Sequence, residues 1–175
     1  PVVPKGTDKY TVGMNVCSLW QNGTGSTGVW NCISAYKDVE PVLGYYDEGL
    51  PETADWEIKY TLEHGIDFQA FCVFFTHGWG TDPQHVGATH LYDGYMNAKY
   101  SDMSKFAIIW EAANAPSPGH MENWKESFVP YLIENYFKDP RYITADNRPI
   151  LCVFGPGSLS DRIGGDAKVK EMFDY

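Results

Sequence analysis

The stretch Phe106-Ala-Ile-Ile-Trp110-Glu111-Ala-Ala-Asn114 is an apolar run that ends abruptly in a carboxylate and an amide. In α/β enzymes, buried parallel strands present polar groups at their C-terminal ends, and ligands bind there. The pattern therefore predicts a strand over 106–110, with Glu111 and Asn114 at the edge of the sheet that carries the chemistry.

Three other apolar runs end in a similar way and predict strands near 10–17, 69–75 and 150–154. They alternate with helical patterns, and the order β-α-β-α-β-α-β-α is typical of a parallel sheet. A whole (β/α)8 TIM barrel runs to about 250 residues. We therefore expect the N-terminal half of such a barrel over 10–175, preceded by a leader or linker at 1–9. A small doubly wound parallel sheet is the alternative, although no glycine-rich dinucleotide fingerprint follows the first strand.

The clearest helical pattern lies between Pro51 and Gly65, which suit the first turn and the C-cap of a helix. Its buried stripe is predicted to be Ala54, Ile58 and Leu62, which recur at i+4.

A later helix is expected over 123–137, with a kink or break at Pro130. One face of that helix should be traced by five residues: Trp124, Phe128, Tyr131, Leu132 and Asn135. Shorter helices are expected over 90–97 and from Ala167 to Tyr175.

The composition limits the classes of partner. The formal net charge of −10 argues against nucleic acid and anionic membranes, because both require a basic face. No run approaches the roughly 18 apolar residues of a membrane helix. The chain begins with Pro1 rather than Met, which indicates processing or trimming.

The loops after the four strands combine aromatic, carboxylate and amide side chains. Carboxylates accept hydrogen bonds from hydroxyl groups, amides both donate and accept, and aromatic faces cover apolar C–H surfaces, so the set suits a polyhydroxylated ring. Candidate substrate-binding residues are Trp20, Tyr46, Asp47, His77, Trp79, Glu111 and Asn114, with Tyr45 beside them and Gly155 as a point of close backbone approach.

The carboxylates of Glu111 and Asp47 could have either a catalytic or a structural role. Glycoside hydrolysis uses two carboxylates, and Glu111 and Asp47 are the pair available at this edge. Glu111 is the catalytic candidate, whereas Asp47 could instead be a turn residue that leads into a helix. His77, His85 and His90 show no tight ligand spacing, so neither a metal nor another cofactor is predicted.

Three segments resemble the WbsX-like and glycoside hydrolase family 99-like proteins. The first is Val42-Leu-Gly-Tyr-Tyr-Asp47, followed by a helix and Gly65-Ile66-Asp67. The second is Lys105-Phe-Ala-Ile-Ile-Trp-Glu111. The third runs from Tyr136-Phe-Lys-Asp-Pro-Arg-Tyr142 through Arg148-Pro149-Ile150, with Asn147 where the family usually has Gly.

This resemblance implies a (β/α)8 barrel that acts on polysaccharides, often mannose-containing, in secreted, periplasmic or cell-surface bacterial enzymes. It also implies that the catalytic carboxylates lie late in the barrel, in sequence beyond Tyr175. Tyr46, Asp47, His77, Trp79 and Glu111 are then expected to contact sugar. An endo-acting hydrolase of α-mannosides is the leading hypothesis, and a non-catalytic carbohydrate-binding barrel or a glycosyltransferase is the alternative.

Overall fold

A computed structural model of the chain describes residues 1–7, 9–17, 20–21, 30, 33, 35–75, 85–86, 89–112 and 124–175. The chain divides into two compact units. The first unit consists of Pro1–Phe71 and Gly87–Lys105, and the second consists of Cys72–Val86 and Phe106–Tyr175.

The strands of the described chain are β1 Gly13–Val16, β2 Phe68–Phe75, β3 His85–Val86, β4 Lys105–Glu111, β5 Thr144–Ala145, β6 Arg148–Pro149 and β7 Leu151–Phe154. The main sheet has the strand order β1-β2-β4-β7. In it, β1 pairs parallel to β2, and β4 pairs parallel to β7. The fold is therefore α/β, as predicted. β1 begins at Gly13 rather than at residue 10, and the short antiparallel β3 was not predicted.

In the first unit, helix α1 spans Pro51–Glu63. Ala54, Ile58 and Leu62 are all buried, which confirms the predicted stripe. Gly65 has φ +82°, a left-handed conformation that ends the helix at low cost. Near this end, the Lys5 amide donates to the Leu62 carbonyl oxygen, so the N-terminal residues are hydrogen-bonded to α1.

The first unit also contains the predicted short helix. It is a π-helix over His90–Gly94 followed by a 3-10 turn over Tyr95–Asn97. Phe71 of β2 packs against the His90 and Tyr95 rings, with centroids 5.1 and 5.2 Å away. These contacts bury His90 beside α1.

In the second unit, the helix predicted over 123–137 is described from Trp124 onward and changes type along its length. Trp124–Phe128 and Ile133–Phe137 are π-helical, and the intervening α-helix α2, Val129–Leu132, has Pro130 in its first turn. The predicted face was wrong at one residue. Asn135 is exposed and Tyr136 is buried, because the buried side chains recur at i+4 from Trp124.

The second unit has a buried aromatic centre. Trp110 packs on Trp124 and Phe128, with ring centroids 5.4 and 5.2 Å away, and all three side chains are buried. We call these three residues the core cluster. The cluster joins β4 to the helical segment over 124–137.

The C-terminal part of the second unit begins with a tight hairpin. β5 and β6 pair antiparallel around Asp146 and Asn147, which have φ of 50° and 60°. Short polar residues tolerate this left-handed region, so Asn147 fits the turn without a glycine. Helices α3, Pro156–Ile163, and α4, Asp166–Phe173, follow β7, and α3 was not predicted. No described helix is long and apolar enough to cross a membrane.

Candidate functional site

The loop before α1 is held against the segment that follows β1. The Trp20 amide donates to Glu48 Oε2 over 2.8 Å, and the Glu48 amide donates to the Trp20 carbonyl oxygen over 3.0 Å. These reciprocal bonds bring residues 45–48 to Trp20. The predicted residues Trp20, Tyr46 and Asp47 therefore belong to one region of the first unit.

Four aromatic side chains form a cluster in this region. Trp20 stacks on Trp30 with centroids 4.1 Å apart, and Tyr45 and Tyr46 meet the Trp30 ring at 5.5 and 5.1 Å. Trp30 Nε1 donates to the Tyr46 carbonyl oxygen. Trp30 is buried, while its three neighbours are half-buried. We call Trp20, Trp30, Tyr45 and Tyr46 the aromatic wall, because a buried ring supports three that reach solvent.

Glu48, whose carboxyl group accepts the hydrogen bond from the Trp20 amide, is only 6% exposed. Burial raises its pKa to about 7, with Glu57 and Asp47 also raising it and the Trp20 hydrogen bond and His90 lowering it. Burial likewise raises the pKa of Tyr46, with further contributions from Glu48 and Glu57. Shifted ionisation of this kind is common at functional sites.

Glu48, Glu57 and His90 converge although they are far apart in sequence. One ligand atom from each residue lies within 4.8 Å of the other two. His90 Nε2 is 2.8 Å from Glu57 Oε2, yet this contact is not aligned as a hydrogen bond. His90 is 1% exposed, and neither ring nitrogen has a hydrogen-bond partner among the described residues.

Asp47 has a structural role in the loop. Its Oδ1 accepts a hydrogen bond from the Gly49 amide over 2.8 Å, and its carbonyl oxygen accepts one from the Leu50 amide. This is the turn into α1 that the sequence offered as the alternative for Asp47. The arrangement fixes the side chain at the edge of the aromatic wall.

Glu111 lies in the second unit, at the C-terminal end of β4. The parallel register pairs it with Phe154, the last residue of β7. Paired residues in neighbouring strands project from the same face of a sheet. Phe154 is 63% exposed, so a carboxylate and an accessible aromatic ring lie side by side at this edge.

The other predicted site residues, His77, Trp79 and Asn114, lie outside the described residues. Glu48, Glu57 and Phe154 were not predicted from the sequence. Glu48 could have been found as the immediate neighbour of Asp47. Glu57 had no signal, because a carboxylate on a helix usually faces solvent. Gly155 was predicted as a point where the backbone could come close to a ligand. Its φ of +75° is in the left-handed region, which glycine adopts without strain.

The parallel sheet with helices and its strand-end polar groups define an α/β fold. The structure of this chain is similar to a solved structure, with a TM-score of 0.52. That structure is the GH99 endo-alpha-mannosidase from Bacteriodes thetaiotaomicron in complex with BIS-TRIS-Propane. The match covers 81% of this chain at 15% identity, so it establishes the fold alone. The chain spans 41% of that protein's chain, which means that it corresponds to part of a TIM-barrel fold. No protein-family model and no curated protein sequence matches the chain.

Proposed function

We propose that this chain is the substrate-binding part of a polysaccharide-active glycoside hydrolase related to family 99. The aromatic wall is the observation that carries the proposal. It places three half-buried rings beside carboxyl groups, after a strand of an α/β sheet. Ligands bind at this end of the strands in both barrels and open α/β sheets.

The wall suits a sugar because its two kinds of group match the two kinds of surface on a pyranose. The Trp20 and Tyr46 rings provide apolar faces for C–H groups, and Asp47 provides an acceptor for hydroxyl groups. We assign a second contact to Glu111 and Phe154, which repeat the same combination at the end of β4 and β7.

Hydrolysis requires two carboxyl groups that flank the glycosidic bond. Glu111 is our candidate for one catalytic or substrate-contacting carboxylate in this chain. We place the remaining catalytic carboxylates in sequence beyond Tyr175, as the family resemblance implies. The substrate we favour is an α-mannoside cleaved internally, in a protein that is secreted, periplasmic or displayed on the cell surface.

The test is incubation of the full-length protein with a panel of α-mannans and other polysaccharides, followed by chromatography of the products. We expect oligosaccharides to be released from at least one α-mannan. Glu111→Gln should lower turnover or sugar affinity without loss of folding. Glu134→Gln, which alters an exposed carboxylate paired with Lys138, is the control and should behave as wild type.

The aromatic wall also favours a second candidate, a carbohydrate-binding barrel without catalytic activity. Stacking alone accounts for binding and requires no catalytic carboxylate. This candidate predicts glycan binding by calorimetry with no released product from any polysaccharide. Absence of both binding and turnover would contradict both candidates, and binding of a sugar nucleotide would instead favour a glycosyltransferase.

A further inference from the structure

The carboxyl groups of Glu48 and Glu57 and the imidazole of His90 come from three separate segments of the first unit. Glu48 lies in the loop before α1, Glu57 lies within α1, and His90 begins the π-helix. Their ligand atoms lie within 4.8 Å of one another. Neither the proposed sugar contacts nor the fold of α1 requires this convergence.

We propose that Glu48, Glu57 and His90 bind one divalent transition-metal cation, of the zinc or manganese class, which braces the loop that carries the aromatic wall. The inference does not depend on the proposed hydrolase function. None of the three side chains is among the sugar-contacting residues assigned above.

His90 is a buried polar side chain. A buried polar group normally has a hydrogen-bond partner, and an unpaired one destabilises the fold. His90 is 1% exposed, and its ring nitrogens make no hydrogen bond within the described part of the chain. Nε2 nevertheless faces the Glu57 carboxylate at 2.8 Å. A neutral imidazole binds a metal ion through one ring nitrogen, so a metal here would give one of the two His90 nitrogens a partner.

The negative charge of Glu48 and Glu57 also favours a bound cation. Glu48 and Glu57 lie close together, and among the described residues no Lys or Arg forms an ion pair with either carboxylate. Two carboxylates in a largely buried place repel each other unless a cation or a proton intervenes. A dication would neutralise both at once, and its charge would dominate the local electrostatics.

The donor set defines the class of metal. Imidazole nitrogen suits zinc and other first-row transition metals, while carboxylate oxygen suits both these and manganese. Calcium and magnesium prefer all-oxygen sites, so His90 disfavours them. Bond lengths of about 2.0–2.2 Å in a tetrahedral site place ligand atoms roughly 3.4 Å apart. The contact between His90 and Glu57 would therefore open by about half an ångström.

The structure also indicates what the metal would stabilise. Glu48 Oε2 accepts the Trp20 amide hydrogen bond, so the same carboxyl group contacts both the wall and the metal position. Gly94 lies so close that a Cβ at this residue would be 2.5 Å from the Glu48 carbonyl oxygen. The Glu48 backbone is thus confined on one side, and a cation would fix its side chain on the other.

The test uses the full-length protein, stripped with a chelator and then titrated with Zn²⁺, Mn²⁺ or Mg²⁺ by calorimetry. We expect one Zn²⁺ or Mn²⁺ per chain, with Mg²⁺ at least tenfold weaker. Glu57→Gln should weaken Zn²⁺ binding by about 100-fold, since even outer-shell partners typically contribute 10–100-fold. Glu52→Gln removes an exposed carboxylate from the same helix and should leave the affinity unchanged.

A second measurement needs no variant. Co²⁺ added to the stripped wild-type protein should produce visible absorption bands of a site with nitrogen and oxygen ligands, and Zn²⁺ should displace them. The proposal is overturned if stripped wild type binds neither Zn²⁺ nor Mn²⁺, or if folded Glu57→Gln binds as tightly as wild type. No glycan is present in either assay, so failure here leaves the hydrolase proposal to be tested separately.

Discussion

The aromatic wall of the first unit and the core cluster of the second use the same kinds of side chain for different ends. The rings of the core cluster are all buried, with Trp110 only 1% exposed. The wall has one buried ring, Trp30, and three that reach solvent. Aromatic content alone therefore does not locate a binding surface. The decisive feature is the fraction of each ring that is exposed to solvent.

The two units also differ in how they shift the pKa of a carboxyl group, as Glu48 of the first unit and Asp139 of the second show. In the first unit, burial raises the pKa of Glu48 to about 7. In the second unit, the hydrogen-bonded Arg141 side chain lowers the pKa of Asp139. Asp139 of the second unit is therefore paired with an arginine, whereas Glu48 of the first unit forms no ion pair with a Lys or Arg among the described residues.

The largest expected difference between the regions is in stability. Trp110→Ala should lower the free energy of unfolding by about 3–5 kcal/mol, because it removes a fully buried ring and leaves a cavity against Trp124 and Phe128. Urea denaturation followed by circular dichroism measures the change. Trp110→Phe keeps much of the buried surface and should cost clearly less. Equal losses for the two variants would show that the core cluster is not tightly packed.

The sequence predicted the fold of the first unit well where burial sets the pattern. Ala54, Ile58 and Leu62 could be assigned to the core because i+4 spacing follows directly from helix geometry. In the second unit, helix α3 could not be assigned, since Gly157 and four polar residues dilute its apolar face. β3 could not be assigned because two residues carry no periodicity.

The site was predictable only in part, for a related reason. Trp20 and Tyr46 could be placed together because both follow the first predicted strand. The meeting of Glu48, Glu57 and His90 depends on how α1 and the π-helix pack, and side-chain packing is not encoded in local spacing. Asp47 also shows that one residue type fits both a turn and a binding role.

Tyr142 gives an intermediate test of the second unit, where its hydroxyl group joins two segments. It accepts a hydrogen bond from the Ile108 amide over 3.1 Å and donates one to the Ile150 carbonyl oxygen over 2.8 Å. Tyr142→Phe should cost about 1–3 kcal/mol, because it leaves the buried Ile108 amide without this partner. Chemical denaturation measures the loss, and Tyr131→Phe at a half-buried ring is the comparison. A neutral Tyr142→Phe would mean that water replaces the hydroxyl group.

Trp20→Ala tests the first unit in the opposite way. Its side chain is half-buried, so the variant should lose only about 1 kcal/mol of stability, while stacking worth about 0.5–1.5 kcal/mol disappears from sugar binding. Glycan affinity should therefore fall about two- to tenfold in calorimetry. Trp56→Ala, at a half-exposed tryptophan on α1 that stacks on Tyr60, should leave affinity unchanged. Equal effects at Trp20 and Trp56 would remove the distinction between the wall and ordinary surface rings.

The smallest expected effect concerns the charge pair of the second unit. Arg141 Nη2 lies 2.6 Å from Asp139 Oδ2, and Arg141 Nε donates to Oδ1 over 2.9 Å. A carboxyl group whose folded pKa is lowered stabilises the protein fully above its unfolded pKa, and this stabilisation is lost as pH falls through the folded pKa. Asp139→Asn should therefore cost about 1 kcal/mol or less at pH 7, and the difference from wild type should shrink below about pH 4.

Urea denaturation of both proteins across this pH range measures the difference directly. Asp146→Asn is a matched control, because Asp146 is exposed, lies 4.0 Å from Arg148 and adopts a left-handed conformation that Asn tolerates. It should show no pH-dependent difference. A loss at Asp139 that stays constant from pH 7 to pH 3 would mean that its carboxyl group acts through the hydrogen bond to the Arg141 amide as a neutral acceptor. The contrast with Glu48 would then rest on burial alone rather than on the presence of a paired cation.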